Sequence, residues 1–380
     1  MKLKYIILSF AAIALLAGCS KSRTEVQQPD PAVDPDSDAW VNDESLPVPV
    51  NFSAPQIGVV SKAYAEEVTD LAGLQVGVYG LRTVDGVLSW SPDVPDSYIT
   101  DLLNRVAVVG SPSADEKSYL TFKTGEYDLT VYYPMVSTYT YSFYGYYPRR
   151  TPVEETEDGC IVTYENIGGI DILWDEDHAQ AFQDGVKGFN AAYIRKAKSG
   201  GVWNNEAMNF TPNFSFRHML TGLRFYAQSE GEAEYEDVSV TGLRLVDVPT
   251  SVQLAIASTT ESGAITPVEE SIGRIPLTSA DGSGLNVKPN NTENDGNGAL
   301  LGTLMVCPDE SYKIEVDVRL GNGSTTTFNI ETPVKADGYV GGSMYRLLIK
   351  IKSPVEVEIS VDVEEWDDGG IVDDPSLEIG

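Results

Sequence analysis

Histidine and cysteine, the residues most often recruited as general bases, nucleophiles or soft-metal ligands, number two and three in this 380-residue chain. His218 lies in FSFRHMLTGLRFYA (214–227), where alternation puts it on one face with Phe214, Phe216 and Leu220. That position suits a core histidine hydrogen-bonded to backbone better than a general base. His178 stands beside Asp175, Glu176 and Asp177 in LWDEDHAQ. A hard-metal loop or a His–Asp pair would use such residues, but the ligand spacing and central glycine of a calcium loop are absent. The stretch reads as a solvated acidic loop. The acids Glu364, Glu365, Asp367, Asp368, Asp373 and Asp374 likewise read as a solvated tail. Cys160 and Cys307 match no ligand spacing, and a disulfide and two separate thiols both remain open. No nucleophile elbow, phosphate loop, dinucleotide fingerprint or zinc-protease helix occurs. The chain reads as non-enzymatic, with no cofactor and no metal.

The third cysteine has a different setting. Lys2 and Lys4 precede an apolar run from Tyr5 to Ala17 that only Ser9 interrupts. This is a charged n-region followed by a secretory h-region, too short for a permanent membrane helix. The run ends in Leu16-Ala17-Gly18-Cys19, which resembles a bacterial lipobox. The expectation is a signal at 1–18 and acylation of Cys19, with stable anchoring because each buried methylene contributes about 0.8 kcal/mol. Ser20 stands where a retention Asp would, which favours the outer membrane.

Net charge is −31, from 57 acids and 26 bases. Nucleic acid is excluded as a partner on that balance, since phosphate binding needs a basic face. Hydrophobic content of 42 % with 20 tyrosines marks a globular chain rather than a disordered one. Residues 19–47 are polar, carry four prolines and read as a flexible tether.

Alternation takes over at Val48. In PVEVEISVDVEEW, Val355, Val357, Ile359, Val361 and Val363 share one face and the acids the other. SYKIEVDVRL and TTTFNIETPV flank Gly321-Asn322-Gly323, a hairpin signature. Further strands are expected at 50–57, 74–81, 118–123, 127–134, 141–148, 189–194, 214–227 and 238–247, with one short helix at 96–106. Short strands punctuated by turn residues imply an all-β chain of antiparallel sandwiches. A loop-like stretch near 199–210 suggests two domains, 48–205 and 206–380, the second ending in a short acidic tail.

Several pieces, in order, resemble the fimbrillin family of Bacteroidales, the type V pilins. After the lipobox come VNFSAPQIGVVSKAYA with its Ser61-Lys62-Ala63 step, LQVGVYGL, YSFYGYYP and DILWDEDHA. Phe216, His218, Leu220 and Leu223 follow in a Phe-x-His-x-Leu-x-x-Leu pattern, then GSMYRLLIKI and VDVEEWDDG. The resemblance implies two tandem transthyretin-like β-sandwich domains, export as a surface lipoprotein, and assembly with other pilus subunits. It further implies that a protease removes the first strand and a neighbour's strand replaces it. The displaced strand would be 50–60, with Phe52 and Ile57 filling the groove, and Lys62 the cleavage site. Arg82 or Arg149-Arg150 would remove far more of the fold.

The tail beyond Trp366 has Ile371, Val372, Leu377 and Ile379 at irregular spacing and a proline. It makes a poor donor strand, so an accessory, tip or anchor subunit in adhesion is favoured over a stalk. The tyrosine-rich run 127–148 keeps an alternative open: a monomeric surface lipoprotein whose exposed rings stack on host or bacterial glycans.

Overall fold

The computed structural model describes residues 47–55, 72–111, 117–135, 139–178, 188–191, 194, 212–230, 237–278, 284–291, 298–353 and 356–364. Its strands begin with β1 (Ser53–Pro55), β2 (Gln75–Val84), β3 (Val87–Leu88), β4 (Arg105–Val109), β5 (Lys117–Thr124), β6 (Tyr127–Asp128) and β7 (Thr140–Tyr147). Then come β8 (Glu154–Thr156), β9 (Gly159–Glu165), β10 (Leu173–Asp177), β11 (Arg217–His218) and β12 (Thr221–Ser229). β13 (Ser239–Pro249), β14 (Ser251–Ser258), β15 (Ile265–Pro267), β16 (Ile272–Pro276) and β17 (Asn290–Asn291) follow. The last are β18 (Ala299–Val306), β19 (Lys313–Arg319), β20 (Thr325–Glu331), β21 (Met344–Ser353) and β22 (Glu356–Glu364).

The protein is all-β, and its sheets pack as sandwiches. The first sheet runs β1-β5-β4-β2-β7-β10-β11. Its central strands are covered on both faces: Val76, Val78, Tyr141 and Phe143 enter one core, while Tyr79, Leu81, Tyr144 and Tyr146 enter a second. This explains why β2 and β7 are apolar almost without interruption. In the second half, β17-β12-β21-β22, with β18 beside β12, faces β16-β13-β19-β20 around the second core. Pairing is mostly antiparallel; β12 runs parallel to β21 and β17. A fourth sheet, β15-β14-β9-β8, draws strands from both halves of the chain.

The expected short helix at 96–106 is not formed. The amide of Ile99 donates to Gly80 and the amide of Gly80 to Leu102, so the segment lies against β2. Asp96 and Asn104 take φ of 63° and 47°, and the Ser97 hydroxyl binds the Ser91 and Val94 carbonyls. The backbone is bound to neighbours that a helix would replace. The strand expected at 189–194 is also corrected: Phe189 bridges Tyr141, but Ala191 and Ile194 are helical. The strand expected at 214–227 is two. β11 belongs to the first sheet and β12 to another, because the chain changes sheets at Met219-Leu220. The alternation continues through the switch and conceals it.

Trp174 ties the halves together. Its ring is buried, its Nε1 donates to the Ile256 carbonyl of β14 at 2.8 Å, and the Arg217 guanidinium lies over it at 4.8 Å. Gly263, at φ +76°, passes so close that a Cβ there would meet the ring at 2.5 Å. Trp174→Ala should therefore cost about 3–5 kcal/mol in urea unfolding. Trp174→Phe should cost less, since it keeps most of the packing and loses the hydrogen bond.

Candidate functional site

The residues ahead of β1 alternate strictly. Val48, Val50 and Phe52 are buried, whereas Asn51 is exposed. This is the period-2 pattern of a strand with one face on a core. Among the described residues its backbone is held on one side only: the Val50 amide donates to Val131, the Tyr133 amide to Val48, and Ser53–Pro55 pair with 117–119 of β5. The segment thus forms an edge of the first sheet.

Phe52 is the anchor. It is 2 % exposed and touches three other phenylalanines. Phe143 lies edge-on at 4.8 Å, Phe122 edge-on at 5.6 Å, and Phe214 stacks at 5.1 Å. These offset and edge geometries suit the ring quadrupole, and each adds roughly 0.5–1.5 kcal/mol beyond area burial. Gly145 in β7 makes the arrangement possible, since a Cβ there would reach the Phe214 and Phe216 rings at about 3 Å.

The third wall of this cluster depends on carboxylates. Asp175 and Asp177 lie two residues apart on β10 and accept the amides of Ser215 and Asn213, each at 2.6 Å. The two side chains continue the β10–β11 pairing and hold Phe214 and Phe216 against the core. Burial pushes both carboxyls up to about 6, against the lowering effect of the amides they accept. The stretch read as a solvated acidic loop is therefore a half-buried strand whose acids do structural work. His178 in the same stretch binds the buried Ser142 hydroxyl through Nδ1 at 2.6 Å and lies 3.2 Å from Glu176 through Nε2. The trio has the order of a nucleophile relay, but Ser142 is fully buried and bonds Thr83 as well, so no external substrate reaches it.

His218 is half-buried, and a carboxylate faces its ring. Its Nδ1 lies 2.8 Å from the Asp171 carboxylate, joining segments 47 residues apart. Cys160 and Cys307 are both buried and free, and burial raises both thiols, Cys307 to about 11.

The exposed tyrosine face is corrected too. Tyr133, Tyr141, Tyr144 and Tyr146 are at most 2 % exposed. Their hydroxyls turn inward where bonds exist, Tyr146 to Asn104 and Tyr141 to the Asp96 carbonyl. Half-buried strands favour tyrosine for its apolar body. Of the expected site residues, Phe52 sits at the centre of its core, while Cys19, Ile57 and Lys62 lie outside the described residues. Arg82 stacks on Tyr139 inside β2 and Arg149 binds the Asn104 carbonyl, so both are tied into the fold. Sequence reasoning missed Val48, although its alternation with Val50 and Phe52 was visible. It missed Asp175, Asp177 and Phe214 because those contacts span tens of residues or more.

A family model described as fimbrillin-like matches residues 104–366. No curated protein matches the chain. Among solved structures, a candidate cell adhesion protein from Bacteroides uniformis is 19 % identical, covering 84 % of this chain and 99 % of its own, with a TM-score of 0.49. A fimbrial assembly protein from Parabacteroides distasonis is 13 % identical over 84 % and 99 %, with a TM-score of 0.37. The fimbrial anchor protein Mfa2 from Porphyromonas gingivalis is 8 % identical over 84 % and 98 %, with a TM-score of 0.27.

Two outcomes follow from the geometry. Phe52→Ala should destabilise the chain by about 3 kcal/mol or more in denaturant unfolding, and Asn51→Ala, on the exposed face, by less than about 0.5 kcal/mol. Asp175 and Asp177 hold protons more tightly folded than unfolded, so they lower stability as pH rises from about 4 through about 6. The double variant Asp175→Asn, Asp177→Asn should gain on the parent across that window. Allowing for partial solvent access, the gain is on the order of 1 kcal/mol per site at pH 7. Unfolding midpoints of both proteins from pH 4 to pH 8 check the sign.

Proposed function

The chain belongs to the fimbrillin-like family, and from that premise we propose that it is a cell-surface fimbrial subunit, an accessory, tip or anchor component in adhesion, assembled by strand exchange. The observation that supports this reading is the one-sided attachment of residues 48–55. Loss of that segment would leave the amide and carbonyl groups of 117–120 and 131–133 unpaired and open a slot where Val48, Val50 and Phe52 had been. Unpaired edges and apolar slots are what an incoming strand satisfies together. A neighbouring subunit supplies that strand with apolar residues at every second position.

Release begins with cleavage after Lys62, which leaves the first strand held by non-covalent contacts alone. Acylation at Cys19 anchors the precursor in the outer membrane, at the start of the tether expected at 19–47. Cleavage would therefore also separate the subunit from its own anchor. The glycan-binding alternative is the weaker reading, since four of the eight tyrosines of the run, Tyr133, Tyr141, Tyr144 and Tyr146, are buried in the cores and only Tyr127 is largely exposed. No step of this account requires catalysis by the chain itself.

The test uses the unacylated chain and a trypsin-like protease, followed by N-terminal sequencing, size exclusion and negative-stain microscopy. The expected result is a new N-terminus at Ala63, then ladders or capture of a partner subunit. Cleavage at Arg82 or Arg149 in preference to Lys62, or a cut protein that stays monomeric with every partner subunit, would contradict the reading.

A further inference from the structure

β22 closes one side of its sheet, and β20 closes the same side of the facing sheet, so the two edges meet along an open seam. Among the described residues nothing pairs with the free edge of β22. Its inward residues Val357, Ile359 and Val361 are only half buried, as are Phe328 and Ile330 of β20, although all five pack on the core. Val363 continues the stripe and is 70 % exposed. One strand inward, Leu347, Ile349 and Ile351 are fully covered. The seam is an apolar strip lacking its last covering strand.

The other face of β22 carries charge in columns. Arg346 of β21 stands opposite Asp362, and Lys350 opposite Glu358. Lys352 contacts Glu358 at 2.6 Å and lies within 4.0 Å of Glu356. Bases thus flank these acids on one side, and the acids' other side is open. Cross-strand pairs of opposite sign stabilise a sheet, and like charges directly opposite destabilise it. A second copy of β22 would set Glu356, Glu358 and Asp362 against the same acids. This chain's own tail would bring Asp367, Asp368, Asp373 and Asp374 to that edge.

We propose that the free edge of β22 accepts an extended segment of a partner protein in which apolar residues alternate with lysine or arginine. The apolar positions cover Val357, Ile359, Val361 and Val363 and meet Phe328 and Ile330 across the seam. The bases complete a base–acid–base ladder over β21, β22 and the guest. This surface is separate from the groove of the first strand and requires no cleavage, so the intact chain presents it.

The test titrates the intact, unacylated chain with three short synthetic peptides. One alternates lysine with valine and isoleucine, one has glutamate for each lysine, and one has the basic composition in scrambled order. Anisotropy measures affinity, and hydrogen exchange locates the site. The alternating basic peptide should bind on the order of tenfold tighter than either control and weaken as salt rises. It should also protect amides within 356–364. The double variant Glu358→Lys, Asp362→Lys, checked for an unchanged unfolding midpoint, should reverse the preference toward the acidic peptide. Val363→Arg, at an exposed position, should weaken both. Equal affinity for the three peptides, no binding, or a double variant that behaves like the parent would overturn the proposal. Protection at 117–133 would also overturn it, by placing the peptide in the first-strand groove, and would leave the assembly reading intact.

Discussion

A single phenyl ring organises the N-terminal part of this protein. Phe52 sits between Phe122, Phe143 and Phe214, so it joins β5, β7 and the segment leading into β11 through one side chain. Among the described residues, the backbone of 48–55 is held on one side, by bonds to 117–119 and to 131–133. An edge strand attached this way depends on side-chain burial more than on its ladder. Three side chains at 4 % exposure or less, of which Phe52 is the largest, therefore set how firmly the strand stays. Under the proposed assembly, that combination would make the strand stable while covalently attached and exchangeable once it is not.

The cluster has a weak wall by construction. Phe214 is not placed by a regular strand but by two carboxylates that accept the amides on either side of it. Those carboxylates are half buried, and burial works against their charge. The protein is strongly acidic overall, so few basic side chains are at hand to compensate. Where bases do cluster, as at Arg244 with Glu315 and Asp317 or at Lys352 with Glu358, they lie on outer sheet faces. The rigid connection between the halves runs instead through Trp174 and through β9 paired with β14. Release of the first strand would leave that connection in place.

How much of this was legible in the sequence follows from which faces are solvated. β22 was readable residue by residue because one face meets water and the period of two survives. β2 and β7 are covered on both faces, so their sequences show an apolar block but not which residue enters which core. The segment 214–227 kept its alternation while changing sheets, and its single period hid two strands. Ile99 and Leu102 looked like a helical turn because spacing carries no information about the Gly80 backbone beside them. The burial of Phe52 fits the alternation around it, whereas its stacking on Phe214 joins residues 162 positions apart and leaves no local trace. Asp175 and Asp177 were misread for the same reason, since acids in a row look solvated until their amide partners are known.

The most direct measurement of the central claim is strand exchange in the cleaved protein. After cutting at Lys62, a fluorescent peptide of residues 47–60 would be added in excess and its incorporation followed by anisotropy and size exclusion. The account predicts slow, saturable incorporation that displaces the resident strand, and little or none for the peptide carrying Phe52→Ala. Equal incorporation of both peptides, or a cut chain that unfolds instead of exchanging, would contradict the view that Phe52 and its slot control assembly.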